Sequence, residues 1–137
     1  MYDKILVAID ESQVADRVLA AARELAKLSR GDVTVVHLRE REPTKFGLTA
    51  TESEDEAQAF VDAAAGMLNT AGVSAHGSAR DTLYGHAARE IIADADANDI
   101  DVIVMGSRGR SDWAGLFLGS TAHKVIHLAH KPVLVVR

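Results

Sequence analysis

Two short runs constrain this chain most: residues 4–9 (KILVAI) and residues 100–105 (IDVIVM). Each is almost wholly apolar. Such runs read as strands buried on both faces, as in a parallel sheet with helices above and below. The segments around them alternate in period. After the first run, Val14, Val18, Leu19, Ala22, Leu25, Ala26 and Leu28 recur at helical spacing, with Ser12 as N-cap and Gly31 as the stop. Residues 33–38 (VTVVHL) form a second strand. Residues 39–52 carry Pro43 and Gly47, have no clear period and read as a long loop, a kind that is usually functional or mobile.

Residues 54–70 repeat apolar side chains at Ala57, Phe60, Val61, Ala64, Met67 and Leu68, a second helix followed by Gly72. Residues 73–79 (VSAHGSA) are a weak, polar strand suited to a sheet edge. Asp81 or Thr82 caps a third helix over about 84–98. A fourth helix covers about 120–130, and Pro132 opens a last strand, Val133–Val136. Strand and helix alternate throughout, which implies right-handed crossovers and a parallel α/β sheet. The first and fourth strands are the most apolar, so they belong at its centre. Ligands of such sheets bind at the C-terminal strand edge where the strand order reverses. Asp10 ends one central strand and Gly106 follows the other, so the two meet at that crevice.

The bulk numbers narrow the class. The 137 residues suit one domain, 1–137, and 47% apolar residues suffice for a core. A net charge of −5 argues against a general nucleic-acid footprint. Without cysteine there is neither a disulfide framework nor a thiolate metal site. No apolar run approaches the roughly 18 residues of a membrane helix, and no signal peptide precedes the first strand. The expectation is a cytoplasmic protein with no membrane partner.

Residues 106–121 read GSRGRSDWAGLFLGST. Glycines at 106, 109 and 119 let backbone N–H groups approach a ligand closely. The helix after Gly119 offers unpaired N–H groups and a positive dipole end. Phosphate binds such places readily. Ser120 and Thr121 add hydroxyls. Arg108 and Arg110 either neutralise phosphate charge through forked contacts or are solvated loop cations. Asp112 is either a magnesium contact or an exposed acid. Trp113, Leu116 and Phe117 read as anchors that pack the spacer onto the body.

The pattern glycine, two residues, glycine, nine residues, glycine and serine resembles the ATP-binding branch of the universal stress protein family, and it matches at every defined position. The resemblance extends to the VAID stretch ending at Asp10, to His37-Leu38 and to the last strand. It implies a three-layer α/β/α fold with a five-stranded parallel sheet of order 3-2-1-4-5. That arrangement is Rossmann-like, of the adenine nucleotide alpha hydrolase-like kind. It implies ATP as the ligand, with Mg²⁺ plausible on the phosphates. Asp10 would contact the nucleoside, although an acid there also favours the helix dipole. Leu38 would line the adenine pocket, with Ala8, Ile9 and Met105 beside it, and His37 reads as a packed, hydrogen-bonded histidine. Gly106, Gly109, Gly119, Ser120 and Thr121 would hold the triphosphate.

Other chemistries find little support. His123, His127 and His130 share a helical side, but the outer two lie about two turns apart, poor geometry for one ion. They also suit a helix C-terminus. There is no GxxxxGK[ST] loop, no GxGxxG fingerprint and no nucleophile elbow, and no strong general base for phosphoryl transfer. No catalytic residue is therefore assigned. The function expected is a nucleotide-dependent regulatory or stress-response module with at most slow ATP hydrolysis and an unknown protein partner. A true ATPase or nucleotidyl transferase, and a nucleotide-free dimeric interaction module, are the alternatives. Val133–Val136 is an apolar, uncharged edge that invites pairing with its own copy, and the resemblance points to the same homodimer.

Overall fold

The two apolar runs become the centre of the sheet. The computed structural model describes residues 1–109 and 118–137. Its elements are β1 (Lys4–Ala8), α1 (Ala15–Ser29), β2 (Asp32–Thr44), β3 (Gly47–Thr49), α2 (Glu54–Thr70), β4 (Ala75–Leu83), α3 (Ala87–Ala97), β5 (Val102–Gly106), α4 (Ser120–Leu128) and β6 (Val133–Val136). The parallel strands run β4-β2-β1-β5-β6, and β3 folds back antiparallel on the far end of β2. Without the small β3 this is the order 3-2-1-4-5. Ile5, Leu6, Val7, Ile103 and Val104 are at most 1% exposed, because helices cover both faces. Val61, Ala64 and Leu68 of α2 join Val18 and Ala22 of α1 on one face. Ile91 of α3 and Val125 of α4 pack on the other.

Several boundaries differ from the sequence reading. Residues 39–52 are not a long loop: β2 runs on to Thr44 and turns into β3 at Gly47, whose φ is +104°. The extension is polar and is held by charge across strands. Arg39 Nη1 lies 2.9 Å from Asp81 Oδ2, and Arg41 Nη1 lies 3.8 Å from the same oxygen. Asp81 and Thr82 consequently belong to β4, opposite Arg39 and Glu40, and cap no helix. The third helix begins only at Ala87, after Gly85 at φ +84°. α1 starts after Val14, not at Ser12. It ends with Arg30 in the left-handed conformation, φ 58°, the place expected for Gly31. Gly31 is needed for another reason: a Cβ there would lie 2.3 Å from the Tyr2 carbonyl oxygen. Leu28 and Met67, read as core, are exposed.

The two edges of the parallel sheet are finished differently. The N–H of Val33 donates to the Ser74 carbonyl. Alternation along a parallel strand therefore turns the backbone groups of Ala75, Gly77 and Ala79 away from β2. Amide side chains of α2 meet them. Asn69 both donates to the Ala75 carbonyl (3.1 Å) and accepts from its N–H (2.9 Å). Gln58 donates to the Gly77 carbonyl and accepts from the Ala79 N–H, both at 3.3 Å. Eleven residues separate the two amides, about three helical turns, so they share one side of α2. The helix can come this close because position 77 is glycine: a Cβ there would lie 2.7 Å from the Val61 backbone. On β6, Ile103 donates to the Pro132 carbonyl and Ser107 to the Val136 carbonyl. Even-numbered residues thus face β5, and Val133 and Val135 turn their backbone groups outward. No described side chain hydrogen-bonds those groups.

Candidate functional site at the strand crossover

β1 and β5 end side by side, and β2 and β6 leave them in opposite directions, so a crevice opens beyond their C-terminal ends. A cavity of about 630 Å³, part of it open to solvent, occupies it. Its apolar wall is Ala8, Leu38 and Met105 from the sheet with Ala87 and Ile91 from α3. Val14, Ala15 and Val18 close the α1 side. Gly106, Arg108, Gly109, Thr121 and Ala122 also line it.

The acidic end is built from strand termini. Asp10 follows β1, and its Oδ1 accepts the Ser12 N–H at 3.0 Å, a turn that leads the chain into α1. His37, 6% exposed, sits on β2 beneath it. Its Nδ1 donates to the Ile9 carbonyl at 3.1 Å, and its Nε2 lies 2.6 Å from Glu52 Oε1. Arg39 fastens the same residue by donating to the Glu52 carbonyl at 2.8 Å. Packed and hydrogen-bonded, His37 links the cavity wall to the start of α2, where Ser53 Oγ accepts the Glu56 N–H. Glu40 follows Leu38 by two residues and so shares its face. Burial, reinforced by the negative charges of Glu42 and Asp10, raises its carboxyl above the ordinary 4.5, with His37 acting in the opposite sense.

The glycine end is clasped at its base. Ser107, 4% exposed, donates to the Val136 carbonyl and accepts from the Gly119 N–H, so both ends of the segment meet. Gly119 is the N-cap of α4, in extended conformation and without a side-chain cap, and the first turn of the helix borders the cavity at Thr121. Gly106 is glycine for packing, because its Cβ would lie 2.7 Å from Val14 Cγ2.

Of the residues singled out in the sequence, Ala8, Ile9, Asp10, Leu38, Met105, Gly106, Arg108, Gly109 and Thr121 line this one cavity. Gly119 and Ser120 stand at the α4 terminus beside it. Arg110, Asp112, Trp113, Leu116 and Phe117 lie outside the described residues. Glu40, Ala87 and Ile91 were missed. The first lies in the polar extension of β2, and the other two on α3, whose role as a wall no motif marks. His123 and His127 stack with ring centroids 6.3 Å apart. Among the described residues no group of three His, Cys, Asp or Glu is arranged to hold a metal ion, and no helix is long and apolar enough to cross a membrane.

A parallel α/β sheet with a cavity at its crossover belongs to the class of open α/β folds whose ligands bind beyond the C-terminal strand ends. The model of the "Universal stress protein family" matches residues 1–137. Universal stress protein YxiE of Bacillus subtilis (strain 168) is 34% identical, covering 100% of both chains. A solved universal stress protein from Archaeoglobus fulgidus superposes with a TM-score of 0.78 at 33% identity, again over 100% of both chains. A universal stress protein from the same organism, solved in complex with dAMP, has a TM-score of 0.73 at 29% identity, over 99% of this chain and 98% of that one. The chain belongs to the universal stress protein family.

Proposed function

We propose that this chain is a single-domain, cytoplasmic adenine-nucleotide-binding regulatory module. Its ligand is ATP, held at the β1–β5 crossover with at most slow hydrolysis. The observation that carries the reading is the lining of the cavity: apolar side chains of β1, β2 and β5 together with Gly106, Arg108 and Gly109 and the first turn of α4, whose N-cap Gly119 has no side chain. The base stacks in the slot of Ala8, Leu38 and Met105 beside Ile9, and Asp10 contacts the nucleoside. The phosphates lie along Gly106, Arg108, Gly109, Gly119, Ser120 and Thr121, with Arg110 a further cation. N–H groups at a helix start and a guanidinium are suited to that charge. Mg²⁺, when present, rests on the phosphates. The dAMP complex of an Archaeoglobus fulgidus relative supports an adenine ligand.

Residues 39–52 are already paired as a hairpin arm, so no irregular loop awaits ordering by ATP there. The nucleotide acts through the glycine segment and, across Ser107 and Val136, on β6. That strand pairs with its own copy in a homodimer, and the dimer surface meets a protein partner.

Calorimetric titration of ATP into nucleotide-stripped protein tests the reading, with mass spectrometry of small molecules released from freshly purified material. ATP binds the unmodified protein. Gly119→Val, which puts a branched side chain at the phosphate approach, loses more than about tenfold in affinity, or 1.4 kcal/mol, with helix content retained. Equal affinity in the variant discards the phosphate placement, and no binding to the unmodified protein discards the nucleotide.

A further inference from the structure

The cavity leaves the histidines of α4 unused. His123 and His127 are four residues apart, so they stand on one side of the helix, one turn above the other. Both are exposed, while Ala122 and Val125 form the buried side of α4. Their rings are stacked, with centroids 6.3 Å apart and planes 2° from parallel. Among the described residues neither ring has a hydrogen bond or an ion pair. Lys124, next to His123 in sequence, places its Nζ 3.5 Å from the Gly85 carbonyl oxygen. His130 does not extend the row, because the chain leaves the helix at Ala129, whose ψ is 142°.

We propose that His123 and His127 form a surface site for a divalent late transition ion, Cu²⁺, Ni²⁺ or Zn²⁺. Neutral imidazole is a ligand for these ions, whereas Mg²⁺ and Ca²⁺ take oxygen donors. Two histidines on successive turns of a helix can hold one ion between them. Nitrogen-to-metal bonds of about 2 Å place the centres of two rings that share an ion about 5 Å apart. The observed centres are about 1 Å farther from each other than that. Small rotations of χ1 within one staggered well close the difference, and the broad χ2 torsion aims the nitrogens. The backbone need not move. Water completes the coordination sphere, so affinity follows the general order for divalent ions, with copper first. The ion cross-links two turns of a helix of nine residues, and an ion that binds the folded form stabilises it.

Calorimetric titration of Cu²⁺, Ni²⁺, Zn²⁺ and Mg²⁺ into the untagged full chain, in a buffer that does not chelate, tests the site. One Cu²⁺ binds per chain, at least about tenfold more tightly than Zn²⁺, and Mg²⁺ gives no heat at this site. His123→Ala and His127→Ala each remove one of the two donors and each weaken Cu²⁺ at least about tenfold. His130→Ala keeps the unmodified affinity. Zn²⁺ raises the thermal midpoint of the unmodified protein and leaves that of the His123→Ala/His127→Ala double variant unchanged. Both substitutions are at exposed positions, and circular dichroism checks that the helix content is retained. Cu²⁺ affinity unchanged in the two single variants, or lowered as much by His130→Ala, would mean an adventitious ion only and overturns the proposal. An equal rise in midpoint with Zn²⁺ in the double variant overturns it as well.

Discussion

The β4 edge and the β6 edge begin with the same problem, a row of backbone groups that no neighbouring strand satisfies. On β4, Asn69 and Gln58 stand in for the missing strand, and an Asn amide carries the same donor and acceptor as a peptide group. On β6 the described residues offer Val133 and Val135 nothing comparable, and Leu134 is 42% exposed. The difference teaches which edge is available. Apolar composition alone does not decide it; what decides it is whether a helix alongside carries amides within reach. The homodimer proposed through β6 follows from that asymmetry as well as from the apolar side chains.

Leu134→Pro should do most damage. Leu134 directs its N–H at β5, so proline removes a ladder bond and leaves a buried acceptor, a loss on the order of 3 kcal/mol visible as a lowered denaturation midpoint. Gly77→Ala comes next. Its Cβ meets the Val61 backbone, α2 has to retreat with its amides, and overpacking of this kind costs about 1–3 kcal/mol. If stability is unchanged, the close approach is not what holds α2 at the edge. Asn69→Ala and Gln58→Ala should each cost about 1 kcal/mol. Together they should open the β4 edge, and sedimentation should then find assemblies larger than the unmodified protein forms; an unchanged size would mean that the amides do not protect it. Val135→Pro should be the mildest on the fold, under about 1 kcal/mol, since its N–H faces away from β5. It should nevertheless turn a dimer into a monomer, and a monomeric unmodified protein at micromolar concentration would remove β6 as an interface.

Much of this was legible in the residues, for reasons that can be stated. KILVAI and IDVIVM have no polar alternation because both faces of β1 and β5 are covered, and that alone marks the centre and hence the crossover. The outer half of β2 was illegible because it is held by Arg39 and Arg41 on Asp81 instead of by apolar alternation. Its loss hid Glu40, which period-two spacing from Leu38 would have placed in the cavity. Gly31 was read as a helix stop because glycine usually takes the left-handed position. Here Arg30 bears that conformation, and the contact that demands glycine comes from Tyr2, 29 residues away in sequence and invisible to any local pattern. Leu28 was read as core, yet it lies off the buried stripe of α1: Ala26 in the same last turn is 3% exposed and Leu28 87%.

His37 has a use of a different kind. One imidazole holds the Ile9 carbonyl with Nδ1 and the Glu52 carboxyl with Nε2. Its two nitrogens are therefore separate channels in a ¹⁵N spectrum, one reading the cavity wall and the other the root of the hairpin arm. A ligand titration that moves the Nδ1 resonance alone would report a wall that yields while the arm stays fixed. Resonances that move together, at the same ligand concentrations, would make the ring a rigid lever between them. The protein carries, at the centre of its own structure, the gauge with which its mechanics can be measured.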